Sequence, residues 1–216
     1  MAEQTAAQRI VNLLQDTKRA NIGALIDYLM ESGFFEAPAS TRYHGCYPGG
    51  LADHSLGVYD RLLVCWSEFK LEENTFPGMR SLEITEQSIK IAALLHDVCK
   101  IGAYVPTATG KGYRWNRAQP KGHAVLSISR VLEHITLTEL ELLMIRYHMG
   151  IYGTYEFFVG EKYPKGEYPL RGDPTKSSTE KYGQSLMNAW HHNPICKLMY
   201  FCDQFATFSE RAMKVE

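Results

Sequence analysis

Several histidines and aspartates in this sequence occupy positions where helical periodicity predicts a buried side chain. The run "IAALLHDVCKIG" ends a mostly apolar segment in the adjacent pair His96 and Asp97. Burying a carboxylate without a partner is costly, so other groups must hold this pair. Three further helical segments repeat the pattern, because His54, His148 and Asp203 each lie on or beside the apolar stripe of a predicted helix.

Two explanations of this pattern compete. A single histidine on an apolar stripe is usually a core residue that has found a hydrogen bond. Four helices that each turn a His or an Asp inwards are harder to explain in that way, because their side chains would meet in the core of a bundle. Imidazoles and carboxylates that meet in a helical core form the metal sites of helix bundles, and buried charge is tolerated where it coordinates a metal. The stripes therefore predict a metal site.

The other histidines are less informative from sequence. His123 begins its helix and has no clear face, and His44 lies in a loop before a Gly-Gly turn. We expect His134, His191 and His192 at the surface or rim, since neighbours in a helix face different ways.

The elements that must position these residues are almost all helices. Helical periodicity runs through most of the chain, and only "AYVPTATGKGYRWNRAQP", with its Gly-Lys-Gly turn between β-forming residues, predicts a hairpin. We predict an all-α helical bundle with a small β-hairpin insertion. The predicted single domain, 1–216, has N-terminal helices at 1–42, a core at 43–208, the hairpin at 103–118 and a long loop at 150–178.

Composition argues against several classes of protein. The 216 residues carry a formal net charge of −1, so no global basic field attracts nucleic acid or an anionic membrane. The N-terminal segment lacks the apolar core of a signal peptide, and no apolar run approaches the roughly 20 residues of a membrane-spanning helix. The five cysteines form no CxxC pair. They are expected to be reduced thiols of a cytoplasmic protein, which argues against zinc held by thiolates.

The order of these motifs resembles that of the HD-domain metal-dependent phosphohydrolase superfamily, and most of all the HD domain of bacterial 3′→5′ exoribonucleases. The resemblance extends over about residues 43 to 208 and rests on the segments "YHGCYPGGLADHSLGVYDRLL", "ALLHDVCKIG", "GHAVLS", "RYHMG" and "YFCDQFAT". One departure is Cys99, which stands where the related motif usually has Gly. No Gly-Tyr-Pro motif follows His148 and no Glu-Asp pair follows Asp97, which argues against a cyclic-di-GMP phosphodiesterase and a guanosine tetraphosphate hydrolase.

The resemblance implies a binuclear metal centre and a hydrolytic reaction. The implied ligands are His54, His96, Asp97 and Asp203 for one ion, and His123 and His148, with Asp97 bridging, for the second. Nitrogen and oxygen ligands suit Mn, Fe, Ni, Co or Zn, and two such ions would lower the pKa of a bridging water that attacks phosphorus in line. Asp97 and Lys100 would be the catalytic residues, with Lys100 pairing with a phosphate oxygen. A lysine favoured by the dipole at a helix C-terminus is the alternative explanation of Lys100.

The implied substrate is a nucleotide or a short nucleic acid, and we expect no membrane partner. The candidate substrate-binding residues are Lys100, His44, Arg114, Trp115, Arg117 and Arg146. Interleaved aromatic and basic residues in the hairpin could stack a base and bind phosphate, although we favour the alternative of an ordinary exposed hairpin with cross-strand aromatic pairs. Two other functions stay open, namely a di-iron oxygenase on the HD fold and a module that binds a nucleotide without turnover. The sequence predicts no oligomeric state.

Overall fold

The structure is a computed structural model that describes residues 4–42, 44–69, 82–120, 122–150, 153 and 176–212. These residues are mostly helical, which confirms the prediction of an all-α fold with a small hairpin. The elements, in chain order, are α1 (Ala6–Asp16), α2 (Ile22–Glu31), α3 (Gly50–Phe69), α4 (Glu86–Leu95), a 3₁₀ turn (Val98–Lys100), β1 (Tyr104–Pro106), β2 (Tyr113–Trp115), α5 (His123–Leu132), α6 (Glu139–Tyr147), α7 (Lys176–His192) and α8 (Pro194–Ala212).

The predicted hairpin is present as the antiparallel pair β1 and β2, in which Val105 faces Arg114. The helix α4 begins at Glu86, because the Thr85 hydroxyl caps it by accepting a hydrogen bond from a backbone N–H of its first turn. The predicted loop at 150–178 ends earlier, at the start of α7, and its residues 151–152 and 154–175 lie outside the described residues.

The central helix of the bundle is α4. Every residue from Ser88 to Leu95 is buried, and the helix packs against α1, α3 and α6. A polar side chain in such a helix needs partners, and the Nζ of Lys90 lies 2.5 Å from a carboxylate oxygen of Asp16 and 2.7 Å from one of Glu86. The C-terminal end of α4, which the His96–Asp97 pair follows, is therefore fixed in the middle of the molecule.

Neighbouring helices bring their own apolar stripes to the same place. The helix α3 packs against α4 and α8, and α6 packs against α4, α5 and α8. The buried stripes include Leu51, Val58 and Leu62 on α3 and Ile195, Met199, Cys202 and Ala206 on α8. None of the helices in the described part of the chain is long and apolar enough to cross a membrane.

Candidate metal centre

Six side chains from five helical regions meet around Asp97 in the core of the bundle. They are His54 of α3, His96 and Asp97 directly after α4, His123 at the start of α5, His148 directly after α6, and Asp203 of α8. All except His123 are buried, and the His123 side chain is 21% exposed. Inward-facing stripes had predicted four of these positions, and the structure brings them together with the two further implied ligands.

The carboxylate of Asp97 lies at the centre of this cluster. Its Oδ1 is 2.7 Å from the Nε2 of His123 and 3.7 Å from the Nε2 of His148. Its Oδ2 is 3.3 Å from the Nε2 of His96 and 3.5 Å from the Nε2 of His54. One carboxylate therefore faces four imidazoles, two on each oxygen.

The second carboxylate, that of Asp203, closes one side of the cluster. Its Oδ1 lies 3.1 Å from the Nε2 of His54 and 3.9 Å from the Nε2 of His96. Because α8 packs against α3, this carboxylate reaches the α3 histidine across the helix–helix contact. The cluster thus has two halves that share Asp97, one with His54, His96 and Asp203 and the other with His123 and His148.

His96 and His148 are oriented by the same device. Each is the C-cap residue of its helix, and its Nδ1 lies 2.8 Å or 2.7 Å from the carbonyl oxygen of the residue three positions earlier, Ala93 or Ile145. When Nδ1–H donates to that oxygen, the neutral ring presents the lone pair of Nε2 to the cluster. Within the described residues, neither Nε2 has a hydrogen-bond partner.

These unpaired nitrogens fit a metal ion. A buried polar atom without a partner costs about 1–3 kcal/mol, and a metal that accepts the lone pair removes that cost. The C-terminal ends of α4 and α6 also carry partial negative charge, which favours a cation. Among the described residues, three groups have ligand atoms within 4.8 Å of one another: His54, His96 and Asp203; His96, Asp97 and His148; and Asp97, Cys99 and His123. The buried His, Asp and Cys side chains could hold a metal ion.

Lys100 supplies a positive charge at the same carboxylate. The residue is 8% exposed, and its Nζ lies 2.6 Å from the Oδ2 of Asp97. Burial by itself would raise the pKa of Asp97, but the charges of Lys100, His96 and His123 hold it well below its usual value. Burial by itself would lower the pKa of Lys100, but the negative charge of Asp97 has the larger effect and raises that pKa. In the ion-free protein, Lys100 is the counter-ion of Asp97.

The histidines of the cluster differ in charge. Burial lowers the pKa of His148 to about 3, and the neighbouring charge of His96 acts in the same direction. Burial by itself would lower the pKa of His123 as well, but the effects of Cys99 and Asp97 are larger and raise that pKa to about 10. Burial would raise the pKa of Asp203, yet its hydrogen bond with His54 leaves that pKa lowered. Near neutral pH, His148 is therefore neutral and His123 is charged.

The loop before α3 holds His44 against the cluster. The His44 and His54 rings lie with their centroids 4.8 Å apart. Burial, followed by the charge of Lys100, lowers the pKa of His44 to about 3. Its two ring nitrogens are buried, and within the described residues neither has a hydrogen-bond partner. His44 is therefore an unsatisfied donor beside the site.

A tight backbone contact keeps this loop in place. Gly45 has a φ of 52°, and a Cβ there would lie 2.7 Å from the Cβ of Ala39 and 2.8 Å from the carbonyl oxygen of Gly50. The Ser40 hydroxyl donates to the carbonyl oxygen of His44 over 2.7 Å, and the Ala39 N–H donates to the carbonyl oxygen of Gly45. The backbone on both sides of His44 is thus held by close packing.

The remaining candidate residues lie in or beside the hairpin and in α6. Arg114, Trp115 and Arg117 are exposed, and among the described residues no hydrogen bond or ion pair joins them to the six central side chains. The Trp115 ring lies edge-on to Tyr104, as expected for a cross-strand pair. The Arg146 guanidinium lies 5.1 Å from the centre of the Tyr182 ring. The surface expectation holds for His191 and His192, whereas His134 is half-buried and stacks on Tyr28.

One contact of the site was missed by sequence reasoning. The Sγ of Cys99 lies 2.9 Å from the Nδ1 of His123, and the backbone N–H of Cys99 donates to the Ser127 hydroxyl. The expected nitrogen and oxygen ligand set left sulfur out. The only sequence signal was that Cys99 departs from the Gly of the related motif, and nothing in its spacing connects it to α5.

Comparison of the chain with models of known protein families found no match, and neither did comparisons with curated proteins and with solved structures.

Proposed function

We propose that this chain is a metal-dependent phosphohydrolase of the HD-domain type, which cleaves a phosphoester of a nucleotide or of an oligonucleotide end. The observation that carries the proposal is a buried lysine paired with the central carboxylate of a cluster of imidazoles and carboxylates. Binding of metal alone requires the cluster but not Lys100. A cation that can turn from Asp97 to an incoming anion suits a phosphate ester.

The proposed ligands follow the two halves of the cluster. One divalent ion would be held by His54, His96, Asp97 and Asp203. A second would be held by Asp97, His123 and His148. When bound, two such ions would activate water near neutral pH and offset negative charge on phosphoryl oxygens. Mn, Fe, Ni, Co and Zn all accept such a donor set.

Two side chains near the cluster would contact the substrate. With Asp97 holding an ion, the Lys100 ammonium would be free to pair with a phosphoryl oxygen, where a preorganised charge stabilises the transition state. The neutral ring of His44 keeps one N–H, which has no partner among the described residues and would donate to another oxygen of the same group. The more distant parts of a nucleotide would contact the other candidate residues, Arg114, Trp115, Arg117 and Arg146.

The first experiment compares a phosphodiester with a phosphomonoester. Protein loaded with Mn²⁺ is assayed on bis-p-nitrophenyl phosphate and on p-nitrophenyl phosphate, beside the variants Asp97→Asn and His148→Gln. Removing a hydrogen-bond partner of a metal ligand usually lowers metal affinity or activity about 10–100-fold. Because these two variants change proposed ligands themselves, we expect each to lose more than about 100-fold of the activity. Turnover of the diester indicates a phosphodiesterase or nuclease, and turnover of the monoester alone indicates a nucleotidase.

The matched control is His191→Gln, which makes the same change at an exposed histidine and should keep full activity. Absence of turnover on both esters, and on nucleotides and short RNA and DNA, contradicts the proposal. Oxygen consumption by the iron-loaded protein would then favour the oxygenase. Nucleotide binding that survives Asp97→Asn would favour the module without turnover.

A further inference from the structure

One face of α5 binds the turn that carries Asp97 and Lys100. His123, Ser127 and Arg130 lie at intervals of four and three residues, so they share a side of the helix. The Ser127 hydroxyl accepts from the N–H of Cys99, and the Arg130 guanidinium donates to the carbonyl oxygens of Val98 and Ile101. The Cys99–His123 contact is the third link along this face.

The imidazole of His123 is held at both nitrogens. Its Nε2 lies 2.7 Å from the Oδ1 of Asp97, and its Nδ1 lies 2.9 Å from the Sγ of Cys99. The two ring nitrogens point in divergent directions, so groups that bind them lie on different sides of the ring. An ion bound by Nε2 beside Asp97 therefore lies on the side of the ring away from the sulfur.

We propose that Cys99 is the positioning residue of the second metal position, where its sulfur accepts the Nδ1–H of His123 and thereby directs Nε2 towards Asp97. This inference rests on the two-ion centre of the proposed function. The sulfur takes the place that backbone carbonyl oxygens occupy at two other cluster histidines, His96 and His148, where the acceptors belong to Ala93 and Ile145. A partner of this kind sets the tautomer and orientation of a ligating histidine.

The sulfur makes the second position different from the first. Sulfur is a weaker acceptor than a carbonyl oxygen, and it belongs to a side chain that a single substitution can remove. Within the described part of the chain, Cys99 makes no hydrogen bond to His54, His96 or Asp203. Loss of the sulfur should therefore weaken the binding of the second ion and leave the binding of the first unchanged.

The test counts bound ions instead of measuring turnover. Mn²⁺ is titrated into metal-free protein, and free Mn²⁺ is followed by electron paramagnetic resonance. We expect two ions on the wild type. Cys99→Ala should keep one ion at wild-type affinity and bind the other about 10–100-fold more weakly. Cys99→Ser keeps an acceptor and should recover much of that loss, which a merely structural role would not predict.

A matched control separates positioning from general disturbance. Cys196→Ala makes the same change at a buried thiol of α8. This variant should bind two ions as the wild type does. Circular dichroism verifies the fold of each variant, and Cys99→Ser serves as the reporting variant if Cys99→Ala does not fold.

A Cys99→Ala protein that binds both ions with wild-type affinity overturns the inference, as does a wild type that binds fewer than two ions. Absorption of the Co²⁺-loaded wild type supplies a second criterion. A sulfur-to-cobalt charge-transfer band that disappears in Cys99→Ala would make the sulfur a direct ligand and overturn the positioning role. If Cys99→Ala selectively loses the second ion but the wild type cleaves no phosphoester, the inference stands and the proposed function fails.

Discussion

At the scale of single residues, Asp97 is the group on which the proposed chemistry depends. Its two oxygens face four imidazoles and the Lys100 ammonium, which lies 2.6 Å away. A divalent cation that binds the carboxylate must compete with that ammonium, because both favour the same oxygens. Lys100 therefore has opposite effects on two properties, since it opposes binding of the ion and, in the proposed reaction, favours turnover.

Replacing Lys100 should separate these two properties. In Lys100→Met, we expect the affinity for Mn²⁺ to stay the same or rise, because the competing charge is gone. Hydrolysis should fall about 10²–10³-fold, the usual effect of removing one stabilising donor. Titration of Mn²⁺ and steady-state kinetics on the same preparation measure both. Lys111→Met, at an exposed lysine of the hairpin, should change neither, and a Lys100→Met protein with weakened metal binding would contradict this assignment.

At the scale of elements, the loop before α3 is the part of the site that carries no implied metal ligand. It nevertheless places His44 with its ring 4.8 Å from that of His54. Two glycines in direct contact, Gly45 and Gly50, make this placement possible, since no larger residue fits between their backbones. In the proposed reaction, the loop would therefore influence substrate binding through its backbone packing.

A methyl group at Gly45 tests this dependence. Gly45→Ala adds a side chain at a φ of 52°, where the left-handed region costs about 1–2 kcal/mol, and the overlap with Ala39 and Gly50 adds to that cost. We expect weaker resistance to urea and a higher KM, with the number of bound Mn²⁺ ions unchanged. Gly23→Ala, in α2 with open space around it, should stabilise the protein by up to about 1 kcal/mol. Equal stability of the two variants would contradict the packing argument.

At the scale of the whole molecule, the cluster couples folding to pH when no metal is bound. The pKa values of His44 and His148 are lowered from 6.5 to about 3, so below pH 6.5 the unfolded chain binds protons that the folded chain does not, and stability falls. The pKa of His123 is raised to about 10. The charged His123 ring therefore contributes its full stabilisation to the folded protein below pH 6.5, and this stabilisation is lost as pH rises towards 10. Stability should therefore be greatest near pH 6.5.

Urea unfolding of chelator-treated protein measures this profile. Between pH 6.5 and about 5.5, each lowered histidine should remove about 1 kcal/mol from the free energy of unfolding. His148→Gln should show a shallower acid slope, because one of the two histidines no longer titrates, and His191→Gln should keep the wild-type slope. An acid slope that His148→Gln leaves unchanged would show that other groups cause it.

Helical periodicity predicted much of this arrangement, and the reasons for its failures are physical. It predicted the inward positions of His54, His148 and Asp203, since a stripe several turns long defines a face. His123 sits in the first turn of α5, where no preceding turn defines a face. The contact of Cys99 with His123 joins a 3₁₀ turn to a helix that follows the hairpin, and such a contact depends on packing that local sequence does not encode.

The position of Asp203 on α8 has a consequence for how the protein is made. Asp203 follows every other residue of the cluster in the chain, and its oxygen lies 3.1 Å from the Nε2 of His54 on α3. During synthesis, His54 leaves the ribosome long before α8 exists. A growing chain therefore cannot complete this half of the cluster until α8 has emerged and folded, and the proposed activity would be absent from every copy that still lacks α8.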